Sequence, residues 1–328
     1  MKQYLDLLKA IQEHGAHKPA ARENMPGSQS LFGYQNRYDL ADGFPAVTTK
    51  KLAWKSVVTE LAWFLKGDSN IKFLIDNGCN IWNEDAYQFH KRLWPEAMVN
   101  TTIDRFIQEV KKGGGITSAG KMGYQYPKTW RNLDGNDQIA NLIHGLRNNP
   151  ESRRHVVAAI DPYHSADKDV AVYPCHSMFQ FNCRPTDLAF ITHWYDENRH
   201  FEEGDCPEYT LDCQLYQRSA DSVLGVPFNI ASYSLLTHII AKMCNMIPGD
   251  FIHSFGDAHI YDNHKEAVKE QLSRAPGSLP TLKINSGNKN WQYLTIDEVV
   301  NSIDLDLTFT LENYNPQPAI KAKLSTGL

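Results

Sequence analysis

From Asn229 to Met246 the chain carries Ile230, Tyr233, Leu235, Leu236, Ile239, Ile240 and Met243, a pattern that makes a helix apolar over much of its circumference. Such a helix cannot rest on a surface with one face in water, so other elements must cover it. No apolar run approaches the ~20 residues of a membrane span, so the cover has to be protein. The cover is legible as strands rich in β-branched and aromatic residues: HVVAAI (155–160), MFQFNC (178–183), LAFITHWY (188–195) and LDCQLYQRSA (211–220). An earlier strand is expected in SLFGYQNRYDL (30–40).

Helices are expected at the N-terminus, where Tyr4, Leu5, Leu7, Leu8 and Ile11 recur before Gly15, and at Trp54–Lys66, with Val57, Val58, Leu61, Phe64 and Leu65 on one face. A short helix follows at Ser69–Asp76. Residues 86–121 are less regular, with one helix from Thr101 to Lys112 running into three glycines, and NRHFEEGDCPEYT (198–210) is a charged excursion. The class is therefore α+β, with helices around a largely β core.

Thirty-three basic against 38 acidic residues leave a net charge of −5, which argues against nucleic-acid binding but allows a small phosphorylated substrate held by a few arginines. The six cysteines are scattered without a CxxC pair, so neither a disulfide framework nor a metal site is expected. The first fifteen residues read as an amphipathic helix and not as a signal peptide. The expectation is a cytoplasmic protein with no membrane and no metal.

Three groups of residues could carry chemistry. Cys175, in Tyr173-Pro174-Cys175-His176, is a strong nucleophile if a neighbouring cation lowers its pKa. The cations at hand are Arg153 and Arg154 in ESRRH and Arg218 in QLYQRS; the plainer reading is an inert, packed thiol. The same arginines suit forked recognition of a phosphate, or simply a solvated surface. Asn229, with Ser232 and Tyr233, stands at the start of the apolar helix. Its amide both donates and accepts, which suits the imide edge of uracil, and equally suits a helix cap.

Taken together, the blocks are more specific than their parts. QLYQRSADSVLGVPFNIASYSLLTH (214–238), DGFPAVTTKK (42–51), TELAWFLKGDSNI (59–71), NIW (80–82), SRR (152–154), PCH (174–176), GDAHIYDNH (256–264) and PQPAIKA (316–322) closely resemble, in order, the signature blocks of the thymidylate synthase family. The resemblance runs from Lys2 to about Ala322, with insertions near 86–121 and 184–210. It implies a single catalytic domain over 1–328, a mixed β-sheet core surrounded by helices, and a homodimer packed through the sheet.

The resemblance also implies roles. Cys175 adds to C6 of dUMP, and C5 then attacks the methylene of 5,10-methylenetetrahydrofolate, the co-substrate. Arg22, Arg218 and Ser219 hold the phosphate, with Arg153 and Arg154 reaching in from the other subunit. Asn229 reads the uracil edge, helped by His176 through water, and His259 and Tyr261 touch the deoxyribose. Glu60 relays protons, and Tyr126 stands near the C5 proton. Ile81, Trp82, Asp221, Leu224, Gly225 and Phe228 line the folate side, where Asp221 joins the catalytic set.

Four places depart from the family pattern. Arg22 is followed by ENMPGSQS where an RTGTGT-like loop is usual, and GPVYG is replaced by Gly123-Tyr124-Gln125-Tyr126-Pro127. Ala159-Ile160-Asp161 stands for Ala-Trp-Asn, and the tail reads Lys323-Leu324-Ser325-Thr326-Gly327-Leu328. These lie on loop, closure and folate-side elements. A less well sealed site admits water to the exocyclic methylene left at C5, giving a hydroxymethyl in place of a methyl group. The departures therefore favour 5-hydroxymethyl-dUMP as product, which would suit a virus that modifies its DNA; reductive methylation to dTMP is the alternative. Deoxycytidylate hydroxymethylases, a sister branch, carry aspartate at the position of Asn229, so Asn229 points to uracil.

Overall fold

The computed structural model describes residues 1–20, 25–113, 119–164, 166, 168–187 and 206–323. Six strands form one sheet: β1 (Ala16–Lys18), β2 (Ser28–Asp39), β3 (Val156–Ala158), β4 (His176–Pro185), β5 (Tyr209–Asp221) and β6 (Ile247–Tyr261), in the order β1-β2-β6-β5-β4-β3. Only β5 and β6 pair in parallel, so the sheet is mixed, as expected. A separate hairpin-like pair joins β7 (Thr281–Ile284) to β8 (Phe309–Glu312).

A parallel pair needs a crossover, and the central helix supplies it. This helix spans Gly225–Met243 and fifteen of its nineteen residues are buried, as its all-round apolar pattern requires. It packs on β5 and β6 from one side and on the helix Trp54–Lys66 from the other. Alternation sorts the strands into two faces. Phe179 and Phe181 of β4 and Cys213 and Leu215 of β5 are buried, while the adjoining Met178 and Tyr216 stand exposed on the opposite face. Val157 and Val156 of β3 divide in the same way.

Two local devices shape the sheet around the start of β4 and the end of β5. A bulge between His176 and Met178 shifts the β4–β5 register. Odd-numbered residues of β4 face inward, so without the bulge His176 would face out; with it, His176 is buried. At Gly256 of β6, a Cβ would lie 2.7 Å from the Arg218 carbonyl oxygen, so only glycine lets β6 approach β5 this closely.

Several expectations need correction. Trp54–Lys66 is helical over the expected residues, and Gly67, at φ 70°, ends it. The central helix, however, begins four residues before Asn229. Asp221 caps its approach, its Oδ1 accepting from Val223 N (2.9 Å) and Leu224 N (3.1 Å), so Asn229 lies one turn inside and is not a cap. The helix expected from Ser69 is confined to Lys72–Asp76, and the strand expected at 155–160 to Val156–Ala158. Within the irregular 86–121 region, helices Asn83–Leu93 and Pro95–Met98 precede Ile103–Lys112. The strand expected at 188–195 lies outside the described residues.

Candidate active site

A cavity of about 480 Å³ opens where β5 and β6 end, carrying Ser219 and Asp221 from one strand and His259 and Tyr261 from the other. β4 runs antiparallel to β5, so its beginning, Cys175-His176, lies beside the end of β5. The first turns of the central helix add Leu224, Gly225, Phe228 and Asn229. Glu60, Ile81, Trp82 and Tyr126 close the remaining wall. Residues far apart in the chain thus meet because a parallel crossover brings strand ends and a helix start to one edge.

Cys175 is held by its own backbone. Its N–H donates to the Tyr126 hydroxyl oxygen (2.8 Å), and its carbonyl accepts from Arg218 N (2.9 Å). Arg218 is pinned behind it: Nε donates to Pro174 O (2.8 Å), Nη2 to Tyr173 O (2.6 Å), and the guanidinium lies 4.7 Å from the centre of the Tyr173 ring. Nη2 also stands 3.8 Å from Cys175 Sγ. The expected cation is therefore present, yet the thiol pKa is raised. Burial outweighs Arg218, and Asp85 adds to the upward push.

Tyr126 accepts a second backbone N–H, from His176 (3.2 Å), so its own hydroxyl proton is left for another acceptor. Burial, with Cys175 nearby, pushes its ionisation far above the ordinary tyrosine range. Glu60 is buried, and burial pushes its carboxyl up to about 7 although Trp82 Nε1 donates to its Oε1 at 2.7 Å. His176 stacks on Tyr126, ring centres 4.9 Å apart, and burial brings its pKa down to about 4, so it is neutral near pH 7. Nδ1 of His176 and Oδ1 of Asn229 are buried without a hydrogen-bond partner. The Asn229 side chain is nonetheless close enough to His176 to favour its protonated form and offset part of the burial, so the pair falls just short of a full hydrogen bond.

On the far wall, His259 Nδ1 is 3.0 Å from Asp257 Oδ1. Lys18 bonds the other oxygen of Asp257, whose carboxyl the His259 and Lys18 bonds hold well below the ordinary range despite its burial. Burial and the charges of Asp221, Cys175 and Asp257 push Tyr261 up to about 12. Asp221 uses one oxygen on the helix approach and leaves the other without a partner among the described residues.

Fourteen expected residues, all but the arginines, line this one cavity. Arg218 stands behind Cys175. Arg153 and Arg154 do not join them: both are exposed in the turn before β3, and Arg154 edges a separate polar groove with Asn149 and Ser152. Arg22 lies outside the described residues. The sequence reading missed Asp85, Gln217, Phe64 and Val172, which also line the wall. Asp85 sits three residues after Trp82, which immediately precedes the helix Asn83–Leu93, and that spacing was the available signal. Among the described residues, Asp134, Asp161 and His164 bring ligand atoms within 4.8 Å of one another, away from this cavity. No helix among the described residues is long and apolar enough to cross a membrane.

The family model described as thymidylate synthase matches residues 2–326. The chain is 42% identical to the thymidylate synthase of Malacoplasma penetrans and 41% to that of Mycoplasma mobile, in each case over 99% of this chain and 100% of the relative. It is 40% identical to the thymidylate synthase of Listeria monocytogenes serotype 4b, with the same coverage. The relatives are bacterial and do not point to a virus. With the fold, the cavity and the full-length match in agreement, this chain belongs to the thymidylate synthase family.

Proposed function

We propose that this chain is a folate-dependent C5 methyltransferase that converts dUMP to dTMP, with 5,10-methylenetetrahydrofolate as one-carbon and hydride donor. The observation that carries the reading is the convergence of Cys175, Glu60, Tyr126, Asn229, Asp221 and Trp82 on one cavity. The sequence departures favoured a hydroxymethyl product. Relatives of 38–42% identity over the whole chain are named thymidylate synthase, and this moves the reading to methylation. The cavity supports the move. Tyr126 keeps its bonds to Cys175 and His176 despite its altered neighbours, and Gln125 is buried against Val172 O. Asp161 engages His164 away from the cavity wall, so neither change opens that wall to water.

In this reading Cys175 Sγ bonds to C6 of the pyrimidine, with Arg218 favouring the thiolate against burial. C5 becomes the nucleophile and takes the methylene carbon. Tyr126 and Glu60 take the C5 proton as the methylene–N5 bond breaks and leaves an exocyclic methylene at C5. Hydride from the released tetrahydrofolate then adds to that carbon, C5=C6 re-forms as Cys175 is expelled from C6, and dihydrofolate remains. Asn229 reads the N3–H and O4 edge, and the orphaned His176 Nδ1 beside it is suited to a bridging water. Arg218 and Ser219, with Arg22, bind phosphate; His259 and Tyr261 bind the sugar. The free oxygen of Asp221 suits the N–H edge of a pterin, and Ile81, Trp82, Leu224, Gly225 and Phe228 form the slot for its flat ring.

One catalytic domain covers 1–328, and it works as a homodimer. The exposed sheet face bearing Val156, Met178 and Tyr216, and the exposed Arg153 and Arg154, support a partner packed there that receives those arginines. The C-terminal segment is laid beside the site: Lys323 O accepts from His264 Nε2 (2.7 Å), and His264 Nδ1 lies 3.8 Å from Asp221.

The test is incubation with dUMP and methylenetetrahydrofolate, followed by nucleotide mass and folate oxidation state. dTMP with dihydrofolate is expected, and Cys175→Ala should abolish it while leaving the fold intact. Tetrahydrofolate with a product one oxygen heavier than dTMP would return the reading to hydroxymethylation. No turnover would favour a non-catalytic binding protein.

A further inference from the structure

One carboxyl of the cavity takes no part in these steps. Asp85 lines the same wall as Trp82 and Ile81, in the first turn of the helix Asn83–Leu93, and has no hydrogen-bond or ion-pair partner among the described residues. A partly buried carboxyl on a cavity wall without a partner is costly, so its place there needs a reason. Its electrostatic neighbours are Glu84 on its own helix and Cys175 across the cavity. Glu84 itself accepts from Gln88.

We propose that Asp85 is the general acid that protonates the leaving nitrogen of the one-carbon donor. This rests on the methylenetetrahydrofolate reading. The bridging carbon of that donor is bonded to N5 and N10, and an amine leaves such a carbon only when protonated. The Asp85 O–H proton goes to the N10 lone pair. The carbon–N10 bond breaks with its electrons on N10, the N5 lone pair forms a cationic N5=CH2 group, and C5 of the nucleotide attacks that carbon. Asp85 is left as a carboxylate facing the positive charge. Burial, reinforced by Glu84, raises its pKa to about 6, so a usable fraction carries the proton near neutrality. Once ionised it is a negative charge across the cavity from Cys175, whose thiol pKa it helps to hold up.

Asp85→Asn keeps the shape and removes the acid. Turnover with methylenetetrahydrofolate should fall about 10²- to 10⁴-fold, the range for loss of a general acid. Solvent exchange of the C5 hydrogen of dUMP, which needs Cys175 but no one-carbon donor, should stay within about threefold, as should the Kd for tetrahydrofolate, which lacks the bridge. Asp85→Glu, which restores the acid, should recover turnover at least tenfold over the asparagine variant. Turnover in Asp85→Asn within threefold of the unaltered protein would overturn the proposal, as would parallel loss of exchange and folate binding, which marks a structural role. If the unaltered protein neither exchanges the C5 hydrogen nor turns over, the failure lies in the dUMP reading itself.

Discussion

Replacing Trp82 by phenylalanine tests the electrostatics of the cavity through a single hydrogen bond. Glu60 titrates near 7 because burial disfavours its charged form, while the 2.7 Å bond from Trp82 Nε1 favours it. Against an ordinary 4.5, at about 1.36 kcal/mol per tenfold in proton affinity, the net preference for the neutral acid is about 3.4 kcal/mol. The two influences oppose, so removing the weaker exposes the stronger. A hydrogen bond to a charged group contributes about 1.5–3 kcal/mol, and water entering at the vacated indole edge returns part of it. The Glu60 midpoint should therefore rise by about one pH unit, to near 8. Phenylalanine keeps an aromatic ring against Trp63 and Tyr126, whose centres lie 5.8 and 6.2 Å from that of Trp82, so the wall stays in place. Difference infrared spectroscopy against pH reads the carboxyl band, identified as the one that Glu60→Gln removes, and the pH profile of kcat/KM for dUMP should follow the same midpoint. A Glu60 band titrating near 4.5 in the unaltered protein would refute the reasoning. So would a midpoint that stays or falls in Trp82→Phe.

Three further outcomes are expected. Asn229→Asp should lower kcat/KM for dUMP by about 10- to 100-fold and raise that for dCMP, since a carboxyl complements a 4-amino group; an unchanged ratio in paired assays would count against Asn229 as the base reader. His238 packs on Phe44 with Nε2 buried and unpartnered, and burial brings its pKa from 6.5 down to about 4. The unfolded chain thus takes a proton the folded one refuses, so this contribution is complete above 6.5 and is lost as pH falls toward 4; at pH 5 the loss is about 2 kcal/mol. Denaturant unfolding near pH 7.5 and 5 should show that loss reduced by about 2 kcal/mol in His238→Leu, and parallel losses in both proteins would refute it. Finally, a chain bearing Arg153→Ala and Arg154→Ala, refolded together with Cys175→Ala chains, should regain about a quarter of normal activity, because half the dimers carry one whole site. No recovery would argue against arginines shared across an interface.

How legible each element was follows from its physics. The Trp54–Lys66 helix could be read residue for residue, because its apolar spacing holds to the end and Gly67 stops it. The central helix was legible as a buried element, but Gly225 and Pro227 disguised its first turn; proline is tolerated there because the N–H it lacks would be unpaired anyway. Asn83–Leu93 escaped notice because only Ala86, Phe89 and His90 are buried on an otherwise polar helix. β6 was quoted as a motif but not seen as a strand, its glycines and near-continuous burial masking the alternation of a half-exposed strand.

For the site, the cast of residues was legible and their electrostatics were not. The motif blocks named most of the residues that line the cavity, since residue types and order survive in one dimension. That Cys175 is pushed up despite Arg218, that Glu60 holds its proton to about 7, and that Asp85 shares the wall all come from burial. The separation of the exposed Arg153 and Arg154 from the cavity within one chain likewise comes only with the fold. A pKa depends on how much water the surrounding packing excludes, and that packing joins segments far apart in the chain; only the folded arrangement decides it.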